Sequence, residues 1–209
     1  MISVFQQFPF VQAGFCNAKE SAKLQHPILM KQVHSADVLV LTEVPSEPPK
    51  CDALATKTPS LRLTVKTADC TPVLFLDPVA KVIAATHAGW KGAFQGVLET
   101  TVLAMLKMGA SLNNIHAAIG PHLTQKSFQV QEDMQTLFSP NEQQFFHETP
   151  NGTFFDFTGY VRHRLDRIGI NNVELFDLDT YTNPEYNSYR RDKENPARQY
   201  SFIELTKGV

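Results

Sequence analysis

Three residues with metal-binding chemistry stand beside strand-like stretches of this sequence. His34 follows the aliphatic run 28–33, Cys70 precedes Pro72 and the apolar run 73–76, and His87 follows the run 82–86. Two imidazoles and a thiolate suit Zn²⁺, and three protein donors leave a fourth position for water or a reactant. The separations of 36 and 17 residues exclude a local clamp of the zinc-finger kind, so tertiary structure must assemble the set. Residue type and spacing alone leave a second reading open: a hydrogen-bonded core histidine and a small buried cysteine.

Other residues could complete such a site. Asp69, next to Cys70, reads as a general base, as a group orienting a ligand, or as a turn residue before Thr71-Pro72. The segment Thr86-His87-Ala88-Gly89-Trp90-Lys91-Gly92 leads from a strand into a helix whose start could receive an anion with help from Lys91. It lacks the spacing of a phosphate-binding P-loop, and its glycines could equally serve packing. In Ser188-Tyr189-Arg190-Arg191-Asp192 two guanidinium groups flank an aromatic ring, a combination suited to an anion and a flat base, or to a solvated face.

The elements that must position these side chains follow from hydrophobic patterning. Strands are predicted over 28–33, 38–41, 61–65, 73–76, 82–86, 115–119, 173–178 and 200–205. Leu61, Leu63 and Val65 alternate with polar residues, whereas 73–76 is apolar throughout and reads as a strand covered on both faces. Phe94, Val97, Leu98, Thr101, Val102, Met105 and Leu106 form one helical stripe ending at Gly109. A second helix is predicted over 156–168, capped by Asp156 and closed by Gly169, and a shorter one over 131–138. Helices are interspersed without regular alternation, which predicts an α+β or irregular layered α/β fold, one compact domain spanning 1–209 with a mixed sheet flanked by helices. The proline-rich stretch 45–49 reads as a surface excursion and Asn151-Gly152-Thr153 as a plain turn.

Composition narrows the function classes. A chain of 209 residues with 43% hydrophobic and 19% charged residues folds as a globular unit. A formal charge of −2 without a basic cluster argues against nucleic acid. No apolar run reaches the length of a membrane span and the N-terminal stretch lacks a leader pattern, so a cytoplasmic protein is expected. Cys16, Cys51 and Cys70 are too few and scattered for a disulfide framework. No residue pattern sets the oligomeric state.

Taken together the segments 31–34, 51–54, 67–74, 87–92, 118–121 and 188–192 resemble the laccase-domain, or multicopper polyphenol oxidase-like, family. Its members are described as purine nucleoside phosphorylases with adenosine deaminase activity. The matching pieces, above all Thr67-Ala68-Asp69-Cys70 and His87-Ala88-Gly89-Trp90, occur in the family order. The resemblance implies one zinc ion held by His34, Cys70 and His87, preferred over copper, and a fold similar to the catalytic domain of cysteine-hydrolase toxins. It implies small-molecule partners: phosphate together with adenosine, inosine, guanosine or methylthioadenosine. On that reading Asp69, Cys70 and His87 are catalytic, and Lys91, Tyr189 and Arg190 bind substrate. The departures are Gln129 where glutamate is common, Asp179 where many members have cysteine, and 193–197 in place of a Gly-x-Thr-Gly run. Alternatives are a peptidoglycan-editing amide hydrolase with Cys70 as nucleophile, a non-catalytic zinc protein with His122 or Asp69 as fourth ligand, and a phenol-oxidising copper enzyme.

Overall fold

The apolar run at 73–76 lies inside one of the two seven-residue strands of a central sheet, and its side chains explain the layering on both sides. The computed structural model describes residues 2–207. In chain order the strands are β1 (Val11–Phe15), β2 (Val38–Leu41), β3 (Ala53–Thr56), β4 (Leu63–Thr67), β5 (Thr71–Asp77) and β6 (Val82–Ala88), followed by β7 (His116–Ile119), β8 (Gln129–Val130), β9 (Phe146–Thr149), β10 (Gly152–Phe155), β11 (Asn172–Leu175) and β12 (Gln199–Leu205). The helices are α1 (Ser3–Gln6), α2 (Ala18–Ser21), α3 (Trp90–Gln95), α4 (Val97–Lys107), α5 (Glu132–Gln135) and α6 (Phe157–Arg167).

Six strands form the central sheet in the order β11-β7-β5-β6-β3-β2. Its inner pairs are antiparallel, while β11 with β7 and β2 with β3 are parallel. Because strand side chains alternate, β5 feeds two cores. Val73 and Phe75 meet Val97, Leu98, Val102 and Met105 of α4 and Val161 and Leu165 of α6. Leu74 and Leu76 face Leu63, Val65, Ile203 and Leu205, which belong to the antiparallel sheet β1-β12-β4. A third sheet, β8-β10-β9, is a small antiparallel patch whose Phe146 and Phe155 join the same core as Val73 and Phe75. The α+β class with mixed sheets flanked by few helices is as expected from the sequence.

Several predicted boundaries change. The run 28–33 is no strand; only single bridges, Ile28 to Leu63 and Lys31 to Lys50, tie it to its neighbours. Gln32 explains why: its side-chain amide donates to Lys66 O (2.7 Å) and accepts from Lys66 N (2.8 Å), replacing a backbone ladder. The long helical stripe is two helices, because Gly96 takes φ +99° between α3 and α4. The helix expected over 131–138 is the single turn α5, and the strand at 173–178 ends at Leu175. The second helix is as read, with Asp156 Oδ1 accepting Gly159 N–H (2.8 Å) and Gly169 at φ +87°. Strands β1, β3 and β8 to β10 escaped the sequence reading. In β3 the residues Ala53-Leu54-Ala55-Thr56 have weak strand propensity, and burial at the sheet centre overrides it. The turn at Asn151 joins β9 to β10. Among the described residues no helix is long and apolar enough to cross a membrane, and the three cysteines are unpaired.

Leu74, fully buried between the two large sheets, gives a direct check on this layering. Leu74→Ala is expected to lower the unfolding free energy by about 2–5 kcal/mol, whereas Leu103→Ala, on the half-exposed side of α4, should change it by less than about 1 kcal/mol. Urea midpoints of the two variants measure the difference.

Candidate metal centre and adjoining cleft

Asp52, immediately before β3, is fully buried, and its carboxylate organises the site. Oδ2 accepts the backbone N–H of Val33 (3.1 Å) and Ser35 (2.7 Å) and the Ser35 hydroxyl (3.0 Å); Oδ1 accepts the backbone N–H of His34 (3.0 Å). Three successive amides wrapped around one anion hold the irregular segment in place and keep His34 at φ +60°. Oδ1 also meets His87 Nδ1 at 2.8 Å. Since a carboxylate only accepts, Nδ1 carries the proton and Nε2 is left for the Cys70 side of the ring. Burial by itself would raise the Asp52 pKa, but the hydrogen bonds from His87, Ser35 and Val33 outweigh it and hold the group well below its ordinary 3.8.

The donor atoms of His34, Cys70 and His87 lie within 4.8 Å of one another. The imidazoles of His34 and His87 meet edge to face, with centroids 4.8 Å apart. Donors bound to zinc at about 2.0–2.3 Å would draw this set slightly closer. Gly89, just before α3, is what leaves room: a Cβ there would lie 2.3 Å from His34 Nδ1 and 3.3 Å from Cys70 Sγ. The strand ends and Gly89 therefore surround a space bordered by two nitrogens and one sulfur, a donor set that fits zinc.

Burial depresses the His34 pKa, reinforced by the neighbouring His87, while Lys91 adds a further lowering charge. His87 goes the other way. Burial would lower it, yet the Cys70 sulfur and the Asp52 carboxylate together raise it to about 9. A proton on His87 would compete with a cation for Nε2, so a metal held there would bind more tightly as pH rises.

Beside Cys70 opens a cleft of about 1160 Å³ lined in part by Asp69, Trp90, Phe128, Phe157, Tyr189, Arg190 and Lys193. Tyr189, half exposed at 51%, and Arg190 thus come to the same cleft as Cys70. The Arg190 guanidinium donates from Nη1 to the carbonyls of Ser127 (3.3 Å) and Gln129 (3.0 Å) and sits 6.0 Å from the Phe128 ring centre. Asp69, at φ +85°, accepts Thr180 Oγ1–H (2.7 Å) and Arg190 N–H (2.6 Å) on its two oxygens. Lys91 stands outside the cleft lining, exposed, with Nζ 5.5 Å from the Trp90 ring. Arg191 is spent on the main chain, donating to the carbonyls of Thr180, Tyr181 and Tyr186.

His122 is no fourth ligand. It is fully buried, with Nδ1 on Gly120 O (2.8 Å) and Nε2 on Thr158 Oγ1 (2.7 Å). Asp179 is likewise engaged, accepting Thr124 Oγ1–H (2.6 Å) and Tyr181 N–H (2.8 Å). The sequence reading missed Asp52, Gln32 and Lys193. Asp52 lay within a matching segment, but nothing in its local sequence ties it to His87 at a distance of 35 residues.

Two variants probe the centre. Asp52→Asn is expected to weaken zinc binding about 10–100-fold, because the amide no longer orients or charges His87. The stabilisation from a depressed carboxylate is complete above its unfolded pKa and disappears as pH falls through the folded one, so metal-free parent protein should lose stability in acid more steeply than Asp52→Asn, as thermal melts across pH would record. Gly89→Ala should fold normally yet lose stoichiometric zinc, read by elemental analysis of the purified protein.

The multi-copper polyphenol oxidoreductase laccase family matches residues 11–206 of this chain. Its relatives include YfiH of Escherichia coli K12, named a purine nucleoside phosphorylase, 36% identical over 183 residues that make up 86% of this chain and 74% of that protein. The Streptomyces griseus protein ORF3, also named a purine nucleoside phosphorylase, is 37% identical over 172 residues, 80% of this chain and 70% of its own. Among solved structures, Neisseria meningitidis NMB0706 superposes with a TM-score of 0.80 at 30% identity, covering 90% of this chain and 78% of its own. YlmD of Geobacillus stearothermophilus shares the fold, with a TM-score of 0.83 at 21% identity, covering 97% and 94% of the two chains. By the extent of the family match and by these relatives, the chain belongs to the multi-copper polyphenol oxidoreductase laccase family.

Proposed function

We propose that this chain is a zinc-dependent purine nucleoside phosphorylase that also deaminates adenosine. The observation that carries the reading is the position of the three-donor cluster at the edge of a cleft that offers ring faces and cations together. A nucleoside presents a flat base, and its co-substrate is an anion. The cleft is of the size that holds such small molecules, and the names of the relatives in Escherichia coli and Streptomyces support the assignment.

In phosphorolysis a phosphate oxygen bonds to C1′ of the ribose while the C1′–N9 bond breaks, its electron pair leaving with the purine, which takes up a proton. Tyr189 at the rim suits stacking on the base. Arg190 keeps Nη1 on the carbonyls of Ser127 and Gln129, and among the described residues its Nε and Nη2 have no protein acceptor, so that edge is a fork for phosphate. Lys193 adds a second cation on the lining, and Lys91, exposed near His34, is the third candidate. His34, Cys70 and His87 would hold the ion, with His87 oriented by Asp52. Zinc, when bound, supplies a Lewis acid next to the cleft. Deamination of adenosine replaces the C6 amine by oxygen from water and releases ammonia. Inosine, guanosine and methylthioadenosine complete the proposed substrate range, which rests on the family resemblance.

One observation favours a second reading. Asp52, His87 and Cys70 line up as a carboxylate, an imidazole and a thiol, the arrangement of a thiol nucleophile with its base. Metal-free, this set could open an amide in a peptidoglycan precursor; bound to zinc, the thiolate is no longer a free nucleophile. Oxidation of phenols by copper is less well supported, since the described residues offer one His-Cys-His cluster where several metal positions are needed.

Zinc-loaded protein incubated overnight with inosine or adenosine in phosphate buffer is expected to yield free purine base by chromatography, with no base released when phosphate is omitted. His34→Ala should lose both the bound zinc and the turnover. Unchanged nucleosides, together with rapid alkylation of Cys70 in the zinc-loaded protein, would transfer support to the amide-hydrolase reading.

A further inference from the structure

The turn 68–70 between β4 and β5 carries Cys70, and its middle residue is unusually connected. Asp69 adopts φ +85°, a conformation that a residue with a Cβ seldom takes. Its main-chain oxygen accepts Leu123 N–H (2.9 Å), its Oδ1 accepts the Thr180 hydroxyl (2.7 Å), and its Oδ2 accepts Arg190 N–H (2.6 Å). Three separate segments of the cleft region are thereby fastened to the residue that precedes a metal-ligand candidate. The Thr180 backbone N–H in turn donates to His122 O (3.0 Å), so the fastening continues into buried structure.

We infer that Asp69 is a positioning residue: it fixes the Arg190 main chain, and with it the guanidinium, relative to Cys70, and does not carry a proton to or from the substrate. Both carboxylate oxygens already accept short hydrogen bonds, and the bond to Arg190 is to its backbone, which sets where the side chain begins. Among the described residues that bond is the one hydrogen bond from the 188–192 main chain to another segment: the other main-chain bonds are internal, Asp192 N–H to Ser188 O (3.0 Å) and Arg191 N–H to Ser188 Oγ (3.2 Å), and the remaining outside ties are made by the guanidinium groups of Arg190 and Arg191. Loss of the Asp69 tie therefore loosens the main chain at Arg190 while the guanidinium bonds stay, so the start of the Arg190 side chain is no longer set relative to Cys70.

The inference rests on the nucleoside reading only for its kinetic measurement, and two substitutions separate positioning from proton transfer. Asp69→Asn keeps both contacts, because an amide oxygen accepts Arg190 N–H and an amide NH₂ donates to the Thr180 hydroxyl, yet it cannot take up a proton. Asp69→Ala removes both contacts. Expected for Asp69→Asn are kcat and the KM for phosphate within about threefold of the parent; expected for Asp69→Ala is a KM for phosphate raised about tenfold or more, with a smaller change in kcat. Amide hydrogen exchange at Arg190, which needs no turnover, should accelerate about tenfold or more in Asp69→Ala and stay at the parent rate in Asp69→Asn. A kcat lowered 100-fold or more in Asp69→Asn with unchanged exchange at Arg190 would make Asp69 a proton carrier and overturn the inference. Should the parent leave nucleosides untouched, the nucleoside reading falls by itself, and exchange at Arg190 in Asp69→Ala equal to that of the parent would still refute the positioning role.

Discussion

The buried Asp52 carboxylate is the interaction on which the rest of the site depends. A charge taken out of water is costly unless its oxygens are fully hydrogen-bonded, and here three consecutive backbone amides, a hydroxyl and an imidazole converge on it. The same contacts answer two structural needs. They hold the non-strand segment 33–35 in a turned conformation that presents His34, and they fix the tautomer of His87 so that its other nitrogen faces the cluster.

Around that anchor the sheet does the gross positioning. His87 stands near the end of β6, and Cys70 enters at the start of β5, its antiparallel neighbour, where Pro72 pairs with His87. The donors thus approach from two adjacent strands and one irregular segment. Gly89 then decides whether they can converge, because any Cβ there would occupy the space between His34 and Cys70. The backbone at Gly89, φ −70° and ψ 156°, is one that any residue adopts, so what calls for glycine there is the approach of the His34 and Cys70 side chains and not the turn itself.

The cleft is built by different means. Phe128, Phe157 and residues of β8 and β10 line it, and Tyr189, Arg190 and Lys193 of an irregular segment form its polar rim. Recognition groups carried on a loop beside residues held by sheet and helix are a common arrangement in binding sites. Lys193, which stands where the family resemblance leads one to expect a glycine-rich run, puts a cation on that rim.

The sequence by itself determined the alternation of β5 between two cores, the capped helix α6 and the α+β class, because each depends on residue type and local period; it offered His34, Cys70 and His87 as candidate donors, and only the family resemblance implied them as one ligand set. The proximity of those donors needed tertiary structure: residues 36 and 17 positions apart meet only through strand pairing, and no local pattern encodes strand order. Tertiary structure also decided that 28–33 is tied by the Gln32 side chain in place of a ladder, that the helical stripe breaks at Gly96, and that Ala53-Leu54-Ala55-Thr56 is a strand. In each case a long-range contact or a positive φ outweighs local propensity, which is a fraction of a kcal/mol per residue and is easily exceeded by burial. Asp52 is the clearest example, since nothing in its local sequence reveals a carboxylate that binds an imidazole 35 residues away.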